Sequence, residues 1–341
     1  MEATATTVMP STSSGADYAE LMRRIRRAGL LERPPGHPAV RLAVVAGLFV
    51  AGWTAFALLG DSWWQLFVAA FLAISFAQLG FLGHEAGHRQ VFRSHRANDI
   101  VGLLSGNLGM GLSFGWWVGK HNKHHANPNH EGKDPDIEPT AVVFTESDAT
   151  RHRGLARLWY RSQAYLFFPL LLLEALALRL ASLQAIMRRE VPRGRVEVAL
   201  FSAHVIGYLT AVVLVLSPWQ AVLFLVVHQG LLGFHLGCAF APNHKGMPML
   251  TEEEEMDFLR RQVLTSRNVK GGPVTDFVLG GLNYQIEHHL FPGMPRPNLR
   301  RAQPLVRQFC AERGVPYLES SLVSSYAQTL RHLHSVSRVN D

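Results

Sequence analysis

Seven of the 17 histidines in this chain of 341 residues fall into three short clusters. The clusters read HEAGH at residues 84–88, HNKHH at 121–125 and QIEHH at 285–289. Spacings of three and four residues place side chains on one face of a helix, so each cluster would present its imidazoles together. Histidines grouped in this way are typical of a metal site, because neutral imidazole is a common metal ligand.

The clusters hold more histidines than one metal ion needs. They are His84, His88, His121, His124, His125, His288 and His289. A tetrahedral zinc site takes four protein ligands, whereas seven imidazoles suit two metal ions that keep open coordination positions. The clusters therefore predict a binuclear site. Imidazole by itself does not choose between zinc, copper, iron and nickel.

Two other hypotheses do not account for all three clusters. The first cluster matches the HExxH pattern of a zinc peptidase, with Glu85 as general base, but this leaves the other clusters without a role. A metal or haem transporter would place histidines in the middle of membrane spans, where only His228 and His235 lie. We interpret His228 as a hydrogen-bonded core histidine and leave His235 open.

The composition indicates a membrane protein. Apolar residues make up 48% of the chain and charged residues 17%, below the roughly 25% charged residues of soluble domains. Four apolar stretches, at 41–59, 63–83, 196–216 and 219–241, are long enough to cross ~30 Å of hydrocarbon. We expect an all-α integral membrane protein with about four transmembrane helices, interfacial helices, and a cytosolic helical cap carrying the metal site.

The distribution of arginine predicts the orientation of the chain. Arginines flank the four stretches, whereas the connections at 60–62 and 217–218 have no Lys or Arg, so the histidine clusters and both termini should be cytosolic. The stretches at 99–120 and 161–180 would reverse this parity if either crossed. We expect the first to be interfacial or re-entrant and the second to lie in the interface.

Charge and composition also bear on partners and location. The formal charge of +7 comes from arginines beside apolar segments, which indicates membrane orientation and not a nucleic acid partner. Only five of the 33 basic residues are lysine, which favours a bacterial genome and hence a bacterial plasma membrane.

The chain divides into four predicted parts. Residues 1–16 lack the basic and apolar regions of a signal peptide and are expected to form a disordered tail. Residues 17–39 form a basic segment with an amphipathic pattern, which predicts an interfacial helix. Residues 40–320 would form the membrane domain and 321–341 a C-terminal tail.

The membrane setting favours iron and redox chemistry. A site with few carboxylates argues against hydrolysis, which needs water and an acid–base partner. The substrate at hand in a bilayer is hydrocarbon, whose methylene hydrogens are too weakly acidic for a side-chain base. Oxygen activated on iron can abstract them, so we expect two iron ions and O2 as co-substrate.

The three clusters resemble, in the same order, the histidine boxes of the membrane fatty acid desaturase family. Residues 280–299, GGLNYQIEHHLFPGMPRPNL, resemble the third-box region of front-end acyl-CoA and acyl-lipid desaturases, and the resemblance covers roughly residues 40–320. It implies a four-span bundle, a di-iron centre, an acyl tunnel, and formation of a cis double bond. A lipid hydroxylase, epoxidase or acetylenase with the same centre stays open as an alternative.

The resemblance also implies roles for individual residues. The seven cluster histidines occupy the ligand positions of the family, and His244 matches a lone histidine just after its last span. Gln285 stands where many members have a histidine, which implies a contact through a ligand or water. Asn243 is expected to orient His244 or to end a helix. Asp134 and Asp136 would support ligand imidazoles or cap a turn.

Each desaturation in the family consumes one O2 and two external electrons. The sequence has no HPGG haem motif of a fused cytochrome b5 domain and no GxGxxG after a predicted strand. The resemblance therefore implies a separate donor, a ferredoxin or a cytochrome with its NAD(P)H reductase, for which a basic cytosolic face is suited. The other expected partners are the fatty acyl substrate and membrane lipids.

Overall fold

The computed structural model describes residues 15–251 and 253–339. The N-terminal helices are α1 Ala16–Arg27, α2 His37–Leu59, α3 Gln65–Gly87, α4 His95–Gly102, a π-helical segment Leu103–Met110, and α5 Phe114–Ala126. The central helices are α6 Glu146–Arg151, α7 Gly154–Arg161, α8 Gln163–Leu171, α9 Glu174–Met187, α10 Gly194–Val215 and α11 Pro218–His244. The C-terminal helices are α12 Phe258–Leu264, α13 Pro273–Val278, α14 Gln285–Leu290, α15 Arg296–Glu312 and α16 Leu322–Val336. Strands β1 Asn268–Val269 and β2 Glu319–Ser320 pair in parallel.

Four of these helices, α2, α3, α10 and α11, are long and apolar enough to cross a membrane. They confirm the four predicted spans, and the protein is an all-α integral membrane protein. Pro38 lies in the first turn of α2 and Pro218 in that of α11, where the missing N–H of proline has no helical partner to lose. The central helix is α3, which packs against both α2 and α11. Its Phe76 and Leu72 are fully buried in this core.

The two hairpin connections of the spans lie at the same end of the bundle. The Oδ1 atom of Asp61, between α2 and α3, accepts a hydrogen bond from the backbone N–H of Ser217, just before α11, at 2.9 Å. The other ends of α3 and α11 carry the first histidine cluster and His244. All the predicted ligands therefore gather at the end opposite to Asp61, which we call the histidine end.

Two further apolar segments enter the bundle and return to the histidine end. The first runs through α4 and the π-helical segment, reverses at Gly111, where φ is +67°, and returns through α5. A left-handed backbone of this kind favours glycine. The second is the pair α8 and α9, bent by 75°. The bend rests on Gly233 of α11, where a Cβ atom would lie 2.7 Å from the carbonyl oxygen of Leu171.

The helices outside the membrane bundle form a cap with its own core. Helix α1 packs against α12 and α15, and Leu21 and Ile25 are fully buried there beside Val263 and Phe309. The prediction of an interfacial helix at residues 17–39 is wrong in this respect. The apolar face of α1 is covered by protein, so it is not available to lipid. Residues 1–14, most of the expected disordered tail, lie outside the described residues.

The segment 321–341, expected as a C-terminal tail, contains α16. This helix packs against α8 and α11, and Ser325, Thr329 and Leu333 are fully buried along one side of it. Gln163 at the start of α8 donates a hydrogen bond to the carbonyl oxygen of Leu333 at 3.0 Å. The described part of this segment is therefore built into the fold.

Candidate metal centre

Each histidine cluster lies at the end of a helix or forms a short helix of its own. The first occupies the last turn of α3 and ends at its C-cap, His88. The second forms the last turns of α5, and the third forms the short helix α14. His244 is the last residue of α11. The ligands thus come from four helices that are far apart in sequence and meet below the cap.

The N-terminus of α5 is hydrogen-bonded to the membrane span α10. The carboxylate of Glu197 on α10 accepts hydrogen bonds from the Ser113 hydroxyl at 2.5 Å, the Asn107 amide at 3.1 Å and the Gly115 backbone N–H at 3.3 Å. The Ser113 hydroxyl also accepts from the backbone N–H of Trp116, as an N-cap does. A carboxylate at this end of a helix is favourable because of the helix dipole. These contacts fix the start of the helix that carries three of the histidines.

The structure brings all eight predicted ligands together, in two groups. The first group is His84, His88, His121, His125 and His288, and the second is His124, His244 and His289. In the first group, Nε2 of His121 lies 3.1 Å from Nε2 of His84 and 2.9 Å from that of His88. In the second, Nε2 of His244 lies 3.3 Å from Nε2 of His124 and 3.0 Å from that of His289. The rings of His125 and His289 stack at 4.2 Å and join the groups.

The hydrogen bonds of the second group leave each Nε2 atom unprotonated, with a lone pair available to a metal ion. Nδ1 of His124 faces the Asp134 carboxylate at 3.0 Å, and Nδ1 of His244 faces the carbonyl oxygen of Thr265 at 3.0 Å. Nδ1 of His289 faces Oε1 of Gln262 at 2.9 Å. An acceptor opposite Nδ1 fixes the proton on that nitrogen. Three buried lone pairs then point at one another, an arrangement that a bound cation would stabilise.

The electrostatics also favour the neutral, ligating form of imidazole. Burial lowers the pKa of His88 to about 3. Burial together with repulsion from neighbouring imidazoles holds the pKa of His121, His125 and His289 well below the ordinary value. His124 differs. Burial alone would lower its pKa, but the carboxylates of Asp136 and Asp134 outweigh burial and raise it.

The distances fit metal ions. Imidazole nitrogens bound to one ion at about 2.0–2.1 Å lie roughly 2.9–3.4 Å apart in octahedral or tetrahedral geometry. Five Nε2–Nε2 separations within the two groups are 2.9–3.3 Å and fall within this range. The donor set and its spacing therefore suit one metal ion in each group.

Three residues that are not themselves predicted ligands, Asp134, Gln262 and Thr265, contact the predicted ligand imidazoles. Asp134 is almost fully buried and also accepts from the backbone N–H groups of Asn129 at 2.8 Å and Asp136 at 2.9 Å. It therefore both supports His124 and caps a turn, the two roles expected for it. Gln262, fully buried, ties His289 to the chain by donating to the carbonyl oxygen of His125 at 3.0 Å. Sequence reasoning missed Gln262 and Thr265, since nothing in their spacing relates them to the clusters.

Gln285 and Asn243 lie beside the second group, where Gln285 contacts His244 and Asn243 contacts Gln285. Nε2 of Gln285 lies 2.8 Å from Nε2 of His244, so the amide contacts a ligand, as expected. Asn243 does not orient the His244 ring. Its amide donates to the carbonyl oxygens of Ala239 and Leu282 at 3.2 and 3.1 Å and to Oε1 of Gln285 at 3.4 Å. Asn243 thus positions Gln285, because the partners of its amide nitrogen are these three oxygens and not an atom of the imidazole.

The two glutamates within the clusters point away from the ligands. Glu85 accepts from Arg41 of α2 at 3.1 Å and from Arg296 of α15 at 3.4 Å, with 4% of its side chain exposed. Glu287 accepts from Asn268 and Tyr317, both at 2.7 Å, and burial raises its pKa to about 7. A glutamate held between two arginines is poorly suited to be the general base that the peptidase hypothesis requires.

The two histidines inside α11 have ordinary partners. Nδ1 of His228 lies 2.6 Å from the hydroxyl of Tyr208, and the ring is fully buried. Nε2 of His235 donates to the carbonyl oxygen of Val278 at 2.7 Å. His228 is therefore a hydrogen-bonded core residue, and His235 connects the span to the cap.

Replacement of Asp134 by asparagine should weaken metal binding at the second group by about 10- to 100-fold. The change keeps the size of the side chain but removes the charge that orients the His124 imidazole and strengthens it as a ligand. Metal per chain, measured against a graded chelator, would report the loss. Asp61→Asn, at the opposite end of the spans, is the matched control. Equal metal retention in both variants would contradict this role for Asp134.

Fold and geometry together define a helical membrane protein with eight histidines gathered into two groups, an arrangement consistent with a metal site. The family model described as "Fatty acid desaturase" matches residues 61–321. An acyl-lipid (9-3)-desaturase of Physcomitrium patens is 32% identical over 285 residues, covering 79% of this chain and 53% of the relative. A Delta(6)-fatty-acid desaturase of Caenorhabditis elegans is 30% identical over 291 residues, covering 80% and 65%. The chain belongs to the fatty acid desaturase family, and it spans about half to two thirds of the length of these relatives.

Proposed function

We propose that this protein is a fatty acyl desaturase. It would introduce a cis double bond into a fatty acyl chain, with O2 as oxidant, at a di-iron centre held by the two histidine groups. The observation that carries the proposal is the convergence of eight imidazoles from four distant helices into groups of five and three. Family membership supplies the reaction class, since the relatives compared are named desaturases.

The proposed reaction balances with an external reductant. The segment –CH2–CH2– loses two hydrogen atoms, which amount to two protons and two electrons, and two further electrons and two further protons come from outside. Together they reduce one O2 to two molecules of water. Bound iron would supply the oxygen activation needed to break C–H bonds that no side-chain base can attack.

The residues of the chain provide binding, orientation and exclusion of water. The first metal position would be held by the five-histidine group, His84, His88, His121, His125 and His288, and the ring of Trp117 stacks on His121 at 4.4 Å. At the second position Asp134, Thr265 and Gln262 fix the proton of each ligand on Nδ1, so that Nε2 stays available. A metal ion held by only three histidines would have coordination positions left for O2. Gln285, whose Nε2 lies 2.8 Å from Nε2 of His244, would contact a ligand or bound water.

The substrate and partners follow from the family and the surface. We propose an acyl chain carried on CoA or a lipid as substrate, by analogy with the named relatives. A ferredoxin or a cytochrome with its reductase would deliver electrons. Exposed arginines of α1 and α15, among them Arg27, Arg300 and Arg307, give the cap a basic surface that suits an acidic donor.

The proposed location is an integral membrane protein with the histidine end and both chain ends in the cytosol. Arginines concentrated at that end support this orientation. The prediction of a bacterial plasma membrane rests on the small number of lysines alone. The relatives named above come from a moss and a nematode.

Expression in a host of known lipid composition tests the function. We expect a new double bond in the cellular fatty acids, about two iron ions per purified chain, and loss of the product in His124→Ala. Mass spectrometry separates the alternatives, because hydroxylation and epoxidation add an oxygen, whereas desaturation removes two hydrogens. Iron well below two per active chain would contradict the binuclear centre.

A further inference from the structure

We propose that Arg267 and the C-terminal helix α16 form a brace that positions the metal ligand His244. This inference rests on the proposed metal centre and concerns residues that touch neither metal nor substrate. Arg267 is the largest fully buried side chain among the described residues. It lies on the segment between α12 and β1, beside the end of α11.

Residue 267 binds the backbone on both sides of His244. Its backbone N–H donates to the carbonyl oxygen of Asn243 at 2.9 Å, and its Nε donates to that of Pro242 at 2.5 Å. Its Nη2 donates to the carbonyl oxygen of Lys245. The last carbonyls of a helix have no partner within the helix and carry partial negative charge. One guanidinium therefore satisfies the end of the span that carries His244, and among the described residues no carboxylate pairs with it.

The same guanidinium reaches α16. Its Nη1 donates to Oε1 of Gln328 at 2.7 Å, and its Nη2 lies 3.3 Å from the carbonyl oxygen of Ser325. Arginine presents its donors in a rigid fork, so it holds several acceptors in one fixed arrangement. Arg267 thus links the end of α11 to α16.

Helix α16 also bonds α11 directly. Pro242 lacks an N–H, which leaves the carbonyl oxygen of Cys238 without its helical partner. The Tyr326 hydroxyl donates to this oxygen at 2.7 Å, and the Thr329 hydroxyl donates to that of Lys245 at 3.1 Å. At Gly246, a Cβ atom would lie 2.8 Å from the carbonyl oxygen of Gln328. The backbone of α16 therefore lies close to that of Lys245 and Gly246, the two residues that follow His244.

The brace predicts a selective effect on one metal position. His244 belongs to the three-histidine group, so loosening the end of α11 should weaken that position and leave the five-histidine group unchanged. Helix α16 would then act on the reaction through the position of His244. If α16 served only global stability, substitutions in the brace would lower the unfolding temperature without changing the release of one metal relative to the other.

The test uses the full-length protein loaded with iron. Arg267→Met removes the guanidinium and keeps an apolar side chain of similar length, and Tyr326→Phe removes one hydroxyl. Metal per chain is followed over time in excess chelator. We expect Arg267→Met to release one of its two irons about tenfold faster than the wild type, as for other groups that orient ligands. Tyr326→Phe should show a smaller increase, and the second iron should leave at the wild-type rate.

Two further variants complete the design. Arg267→Lys keeps the charge but offers a single donor centre, so its release rate should lie between those of the wild type and Arg267→Met. Arg331→Met, on the exposed side of α16, is the control and should release both irons at wild-type rates. If Arg267→Met does not fold, Tyr326→Phe and Thr329→Val carry the test.

Release of both irons at wild-type rates from folded Arg267→Met, or from Tyr326→Phe and Thr329→Val, would overturn the brace. A fall in unfolding temperature with unchanged relative release would do the same. Either result leaves the proposed function intact if the wild type binds two irons and forms the double bond. A wild-type chain that binds fewer than two irons contradicts the proposed metal centre, and the brace with it.

Discussion

His289→Ala is expected to abolish formation of the double bond, with residual activity more than about 100-fold below that of the wild type. Its Nε2 lies 3.0 Å from that of His244, so the change reduces the second group to two imidazoles. Loss of a direct ligand should exceed the roughly 10- to 100-fold effect of losing a group that only orients one. Fatty acid profiling after expression, with iron measured on the purified chain, gives both the activity and the stoichiometry.

The control for this prediction is His95→Ala, an exposed histidine at the start of α4. It should retain wild-type activity and two irons. Under the peptidase hypothesis built on the first cluster, His289→Ala would instead stay active. Activity within a fewfold of the wild type in His289→Ala would therefore contradict the di-iron proposal.

Glu85→Ala is expected to destabilise the protein by about 3–5 kcal/mol, the effect of removing one partner from a buried ion pair. The carboxylate lies between Arg41 and Arg296, and all three side chains are buried or nearly so. Among the described residues, its removal leaves Arg41, on a membrane span, without an ion-pair partner, and it leaves Arg296, at the start of α15, with only the charge of Asp276. The thermal unfolding midpoint of the purified chain, in the same detergent or nanodisc, measures the loss.

Two companion variants sharpen this prediction. Glu85→Gln keeps an acceptor but not the charge, so its midpoint should lie between those of Glu85→Ala and the wild type. Glu255→Ala, at an exposed position in the connection before α12, should unfold within about 0.5 kcal/mol of the wild type. Wild-type stability in Glu85→Ala, combined with loss of activity, would place Glu85 at the reacting centre and contradict the structural role.

The parts of the fold that the sequence predicts are those with local signals. Length and apolar content identify a span without knowledge of its neighbours, and all four spans lie within four residues of their predicted limits. The helical spacing of the histidines likewise predicts seven of the eight histidines that the structure brings together, and the eighth, His244, follows from the family resemblance. The parity of the spans also anticipates that the segment through Gly111 returns to the side from which it came.

The division of the ligands into groups of five and three depends on long-range packing. In the second cluster, spacing alone places the three histidines on one face, yet His121 and His125 join one group and His124 the other. Adjacent helical residues differ by about 100° in direction, which is enough to aim them at two ions. Which ion each meets depends on where α3, α11 and α14 lie around α5.

Amphipathic faces raise the same difficulty at both ends of the chain. The apolar stripe of α1 predicts a partner but does not say whether that partner is lipid or protein. In the structure it is the cap, through Leu21 and Ile25. The buried side of α16 is partly polar, because the carbonyl oxygen of Ser325 accepts from Arg267 and the Thr329 hydroxyl donates to the carbonyl oxygen of Lys245. Polar contacts of this kind give no apolar pattern to detect.

The attachment of α5 to Glu197 has a mechanical consequence. A span adjusts to the thickness of the bilayer by tilting. Glu197 lies on the span α10 and accepts hydrogen bonds from Ser113 and Gly115 at the start of α5 and from Asn107 of the preceding π-helical segment. Any tilt of α10 must either carry that start with it or break these bonds. The thickness of the surrounding lipid thus acts as a strain on the helix that presents His121, His124 and His125.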